Sequence, residues 1–153
     1  MSEVDFNEFA RKTLERADKL IRAVGIKTFS AVIRDTPVGD PDLWKGTKKD
    51  AKGRGKGPAG YVGGRLRANW NCSLGAADTA TSESTAHAGA IPAVTKTCEE
   101  ADRKDTLWLS NSLPYAARIE YEGHSKQAPE GMVRRNVTRI KRIISGELRN
   151  LKG

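Results

Sequence analysis

Hydrophobic positions recur at three- and four-residue steps from the start of the chain. Phe6, Phe9, Thr13, Ala17, Leu20, Val24, Thr28 and Val32 form one stripe, which Ile21 and Ala31 widen. Arg11, Lys12, Glu15, Lys19 and Arg22 fall mainly on the other side. This period predicts a long amphipathic helix. Ser2 or Asp5 is placed to cap its start, and Glu3 and Glu8 suit the positive helix end. Gly25 weakens its middle by about 1 kcal/mol relative to alanine, so a kink is open there. Asp35-Thr36-Pro37 ends it, because proline disfavours a helical residue before it.

The period then changes. From Arg65 to Leu74 apolar and polar residues alternate: Leu66, Ala68, Trp70, Cys72 and Leu74 against Arg65, Arg67, Asn69, Asn71 and Ser73. Alternation predicts a half-buried strand. Thr106 to Asn111 predicts another, with Leu107 and Leu109 on one face and Trp108 on the other. Between them, residues 75–89 are small and polar and read as a loop or weak strand pair. Pro92 to Arg103 suits a short helix with Val94 and Cys98 on one side. Pro114 to Tyr121 suits another, with Tyr115, Ala116 and Ile119 inward and Gly123 as its stop. His124 to Gly131 reads as a loop. A last helix carries Val133, Val137, Ile140, Ile144, Leu148 and Leu151 on one stripe.

These elements predict one α+β domain over residues 1–153. In it a small antiparallel sheet packs against the long N-terminal helix and a C-terminal helix. No internal repeat is visible. The stretch from Val38 to Gly64 stands apart, with eight glycines, two prolines and six basic residues against Asp40, Asp42 and Asp50. Such a composition buries too little apolar surface to offset its ordering entropy. It predicts a long, flexible, basic loop inserted in the domain at about 38–64.

Charge sharpens the picture. The net charge is +8 and the pI about 9.7. Residues 45–67 hold eight basic groups and one acid, residues 132–152 seven and one, and residues 71–131 five and nine. Unlike patches on one chain suit pairing with copies of itself or with two different partners. Lys45, Lys48, Lys49, Lys52, Arg54, Lys56, Arg65 and Arg67 are the candidates for contact with DNA or a protein partner. Phosphates attract such segments without sequence specificity. Trp44 and Tyr61 bracket the basic run with no aromatic between them, which is poor for stacking on single strands.

Catalytic constellations are missing. His87 and His124 fall in expected loops, and with Cys72 and Cys98 they have no familiar zinc spacing. Glu99, Glu100, Asp102 and Asp105 read as a solvated face. Gly53-Arg-Gly-Lys-Gly lacks the preceding strand and Lys-Ser/Thr ending of a P-loop. No catalytic residue, metal or cofactor is expected, so the chain reads as non-enzymatic. The N-terminus has no secretory pattern, and no run approaches the roughly 20 apolar residues that cross a bilayer. No membrane partner is expected, and the chain is expected to be made in a cytoplasm. The sequence leaves a Cys72–Cys98 disulfide open beside two reduced thiols.

One run carries a resemblance: Trp108-Leu-Ser-Asn-Ser-Leu-Pro-Tyr-Ala-Ala-Arg-Ile-Glu-Tyr-Glu-Gly, then Gln127-Ala-Pro-Glu-Gly-Met-Val-Arg. It resembles the tail-component family of long-tailed double-stranded DNA phages, called neck or tail-completion proteins. In that family a strand ends in Asn, Pro-Tyr-Ala opens a short helix that ends in Glu-Tyr-Gly, and Pro-Gly-Met-Val-Arg opens the last helix. The matching positions are Asn111, Pro114, Tyr115, Ala116, Glu120, Tyr121, Gly123, Pro129, Gly131, Met132, Val133 and Arg134. Upstream, Asp35-Thr36-Pro37-Val38 and Gly64-Arg-Leu-Arg-Ala-Asn-Trp70 resemble the family's "T-P-V-D-T-G" and "G-R-L-R-x-S-W". Two departures stand out. The 27 residues from Val38 to Gly64 separate pieces that the family joins closely, and Glu122 parts Tyr121 from Gly123.

The resemblance implies a structural subunit of a ring of six copies at the head–tail junction of a virion, needed to join the tail to the DNA-filled head. Implied partners are itself and other neck and tail proteins, with non-specific contact to genomic DNA. Trp70 and the motif residues then hold structural or interface roles. A tail terminator ring is the near alternative, and a small basic DNA-binding phage protein is the alternative of a different class.

Overall fold

A carboxylate starts the first helix. Asp5 accepts hydrogen bonds from the backbone N–H groups of Asn7 (2.9 Å) and Glu8 (3.2 Å), which the first turn leaves without partners. In this computed structural model, which describes residues 5–43, 48–55 and 57–151, α1 then runs unbroken from Phe6–Asp35. Gly25 causes no break. A Cβ there would lie 2.9 Å from Leu107 Cδ1 and 3.2 Å from Cys98 Sγ, so glycine admits two neighbours against the helix.

The remaining elements are α2 (Arg65–Ala68), β1 (Asn71–Leu74), α3 (Ala90–Glu100), β2 (Leu107–Ser110), α4 (Ala116–Tyr121), α5 (Val133–Val137) and α6 (Ile140–Asn150). The fold is mixed: helices around a two-stranded antiparallel sheet, with a long N-terminal helix. Cys72 stands opposite Leu109 and Leu74 opposite Leu107, so four apolar residues share one face. Trp108 points the other way and is exposed. Two strands alone are marginal. Here α3 backs the sheet and itself lies on α1, burying Val94 and Cys98 beside Leu66, Trp70, Ile33 and Met132.

The structure corrects several expectations. The strand expected from Arg65 is a helical turn followed by a shorter strand. Leu66 and Trp70 are four apart and share a face in either period, so alternation did not discriminate. Gly64, at φ +115°, makes the turn, and Ala68 N–H bonds to its carbonyl. The single C-terminal helix is two, parted at Thr138 and Arg139. Buried Asn136 binds Met132 O and Asp35 there with its side-chain amide, drawing α5 onto the end of α1. α6 does not back the sheet as expected. It packs along α1, antiparallel to it: Arg139 reaches Asp35, and Glu147 pairs with Lys27. Tyr115 is exposed rather than inward, as are Phe6, Phe9, Val137 and Leu148.

Within 38–64, the described residues form a 3-10 turn at Pro41–Leu43 and a bridge between Lys49 and Gly55. Residues 75–86 form no strand, and a 3-10 turn follows at His87–Gly89. Cys72 and Cys98 are free thiols; their interaction holds Cys72 below the usual thiol range and, with burial, pushes Cys98 up. Among the described residues no helix is long and apolar enough to cross a membrane.

Candidate functional site

The motif residues gather at two corners. The first lies between α4 and α5. Glu120 closes α4 and is buried, 6% exposed. Its carboxylate accepts the backbone N–H of Met132 (2.6 Å), Val133 (2.9 Å) and Arg134 (2.8 Å), the open donors of α5. A charged group at a helix start also meets the positive end of its dipole. Arg134 turns back over it. Its Nε lies 3.4 Å from Glu120 Oε1, its terminal nitrogen bonds to Glu120 O, and its guanidinium lies 5.3 Å from the Tyr121 ring centre.

The glycines of this corner are obligatory. Gly131, at φ +82°, would place a Cβ 2.6 Å from Glu120 O and 2.7 Å from its Oε1. Gly123, at φ +60°, ends α4 after Glu122, so the extra residue between Tyr121 and glycine is absorbed at the helix cap. Ala116 and Met132 are buried beneath. Pro114 is exposed one turn ahead of α4, and Pro129 O faces Gly123.

The second corner ties the end of α1 to α2. Trp70 Nε1 donates to Thr36 Oγ1 (2.8 Å), which itself donates to Val32 O (2.8 Å). Arg67 spreads its guanidinium over the last carbonyls of α1, donating to Arg34 O and Thr36 O. A cation at a helix C-terminus is favourable, and burial pulls the Arg67 pKa down. Asn111 Nδ2 donates to Leu66 O (2.8 Å) and its Oδ1 accepts Leu113 N–H, linking the end of β2 to this corner.

Thr36 is the residue that sequence reasoning undervalued. It reads as a helix stop, yet it is fully buried and bonds to four partners, Val32, Ile33, Arg67 and Trp70. Its place in Asp35-Thr36-Pro37 was the only signal. Asn69 was also missed; it binds Arg65 O and both backbone groups of Ser82.

The basic candidates scatter in role. Lys45 and Lys56 lie outside the described residues, as does Trp44. Lys49 Nζ donates to Asp42 O, and Arg54 pairs with Asp50 at 2.9 Å. Arg54 N–H on the Asp50 carboxylate holds its pKa below the usual range. Arg65 pairs with Glu83, and Arg67 is held as described. Lys48 and Lys52 are exposed, with no ion pair among the described residues.

Between the two corners opens a groove of about 1290 Å³, lined by Tyr61, Val62, Arg65, Tyr115 and Arg118 among others. Desolvation at its rim raises the Tyr115 pKa. Among the described residues no three His, Cys, Asp or Glu side chains cluster to hold a metal. The geometry offers contact surfaces built on interlocked corners. No protein-family model matches the chain, and neither a curated protein nor a solved structure matches it significantly.

Proposed function

We propose that this chain is a non-enzymatic structural subunit of a phage neck or tail-completion ring, one of six copies that join the tail to the DNA-filled head. The observation that carries the reading is the fate of the motif residues. Those that resemble the tail-component family, Trp70, Asn111, Glu120, Gly131 and Arg134, interlock helix ends and leave the outer faces free for partners. In this reading the glycine-rich basic stretch 38–64 is an insertion that meets neck proteins or the DNA they surround.

Lys48 and Lys52 favour the second reading, a small DNA-binding phage protein. Each holds an exposed ammonium group without an ion pair among the described residues. That reading expects DNA affinity that falls steeply with salt, whereas a neck subunit binds DNA weakly at physiological salt.

The test is electron microscopy of particles from a phage whose copy of this gene carries an early stop codon. Filled heads beside separate tails of normal length support a joining role. Tails of uncontrolled length favour a terminator ring. Normal joined virions overturn the neck reading.

A further inference from the structure

We infer that the outer face of the α1–α6 helix pair binds double-stranded DNA through its phosphates. The inference goes beyond the function proposed above and does not depend on a ring. It puts the DNA contact on two packed helices rather than on the glycine-rich stretch.

Two rows of cations make the face. From residue 17 to residue 35 only three positions of α1 are exposed, and all three are basic: Lys19, Lys27 and Arg34. At about 100° per residue they fall within about 80° of one another. This side turns away from α3, which Arg22 and Gly25 meet. α6 supplies the second row. Arg139, Arg142, Gly146 and Arg149 follow at steps of three, four and three, so they share one side. An Arg149 nitrogen lies 4.0 Å from where a Gly146 Cβ would stand, and Arg139 reaches Asp35, which borders the row on α1. Lys27 pairs with Glu147 across the seam, so in the antiparallel pair Arg149 stands about level with Gly25 and Arg142 about level with Val32. The two rows therefore alternate along about 22 Å of helix, from Lys19 to Arg34.

Little offsets this charge. Lys19, Arg34, Arg142 and Arg149 have no ion pair among the described residues. Glu147, the one acid of α6, is buried against Lys27, whose own side chain stays 55% exposed. Asp35 is shared by Arg135, Arg139 and Asn136. In the glycine-rich stretch, by contrast, Arg54 is bound to Asp50 and Lys49 to the Asp42 carbonyl.

The chemistry of the face selects its partner. Guanidinium forks match phosphate oxygens two at a time. Exposed Leu148 lies on another side of α6, so the face lacks the apolar centre of a protein interface. Phe29, the one aromatic of α1 in this span, packs on the core, which leaves nothing here to stack an unpaired base and favours a duplex. Helices already packed also hold their cations in place, so less ordering entropy is lost on binding than in a loop.

The test is binding of the full chain to a short labelled duplex, by fluorescence anisotropy over a salt series from about 50 to 200 mM. Each phosphate contact adds about −0.9 to the slope of log affinity against log salt. Lys19→Gln/Arg142→Gln/Arg149→Gln removes three unpaired cations and brings in a good helix former. It is expected to keep the wild-type thermal transition, to make the slope shallower by about 2.7, and to weaken binding at the lowest salt about a hundredfold or more. If that variant loses its transition, Arg142→Gln/Arg149→Gln takes its place, with a slope shallower by about 1.8. Lys45→Gln/Lys48→Gln/Lys52→Gln takes the same charge from the glycine-rich stretch and is expected to bind within about threefold of wild type. Wild type that does not bind the duplex at the lowest salt overturns the inference and leaves the face to an acidic protein surface. So does a folded helix variant with the wild-type slope, a glycine-rich-stretch variant that loses as much as the helix variant, or tighter binding of a single strand of equal length. Failure here leaves the neck reading standing, because the stop-codon particles decide that separately.

Discussion

Truncating Glu120 to alanine removes the acceptor for three backbone donors at once. Met132 N–H is buried, and those of Val133 and Arg134 are partly so. Leaving a buried donor without a partner costs about 1–3 kcal/mol, and a lost helix cap about 0.5–2 kcal/mol. The three donors are neighbours and act as one cap, so their costs do not simply add. A loss of about 4 kcal/mol is expected, which is a large part of the roughly 5–15 kcal/mol that a domain holds. Glu120→Gln keeps the size and one acceptor oxygen but turns an amide N–H₂ towards helix donors, so about half that loss is expected. Urea unfolding followed by tryptophan fluorescence reads the difference. With a slope of about 2 kcal/mol per molar, the alanine variant's midpoint falls by about 2 M and the glutamine variant's by about 1 M. An alanine variant with an unmoved midpoint would refute the view that this carboxylate holds α4 to α5. Equal losses in both variants would refute the role given to its charge.

Four further outcomes are expected. Trp70→Ala costs about 3–5 kcal/mol, because the ring leaves the core and Thr36 loses its donor; urea unfolding checks it. Gly146→Ala raises the melting temperature through a gain of up to about 1 kcal/mol in helix propensity, since only the tip of Arg149 comes within 4.0 Å. Gly25→Ala does not raise it, because its methyl meets Leu107 and Cys98. Asp18 accepts the backbone N–H of Arg103 and pairs with its guanidinium, which lowers its pKa below the usual 3.8. A depressed folded pKa stabilises above the unfolded value and is lost as pH falls through the folded one. Asp18→Asn should therefore be less stable at neutral pH and lose less on acidification below about pH 4 than wild type, as a pH series of melting temperatures will show.

Much of this fold is legible because burial follows period. The stripe of α1, the pairing faces of Cys72, Leu74, Leu107 and Leu109, and the Val94–Cys98 side of α3 all repeat in the sequence. Legibility fails where two periods coincide, as at Leu66 and Trp70. It also fails where a polar residue is buried by its partners. Asn136 is polar among the apolar positions of its helix, yet it is buried and its amide binds Asp35, which is far away along the chain. Phe6 and Phe9 read as core and are exposed, because periodicity reports which side of a helix is apolar and not whether the same chain covers it. At the site, motif spacing picks out Glu120, Gly131 and Arg134. Their geometry does not follow from spacing, since it joins residues 11 to 14 positions apart across a turn.

Because α1 carries both α3 and the α5–α6 pair, its order of synthesis matters. Residues 6–35 leave the ribosome long before residues 133–150, and domains begin folding from the end made first. Until the last helices emerge, the side of α1 around Val24 and Thr28 stays bare. A chain cut short before residue 133 therefore keeps an open apolar face. Such fragments are marked for removal by their own surface.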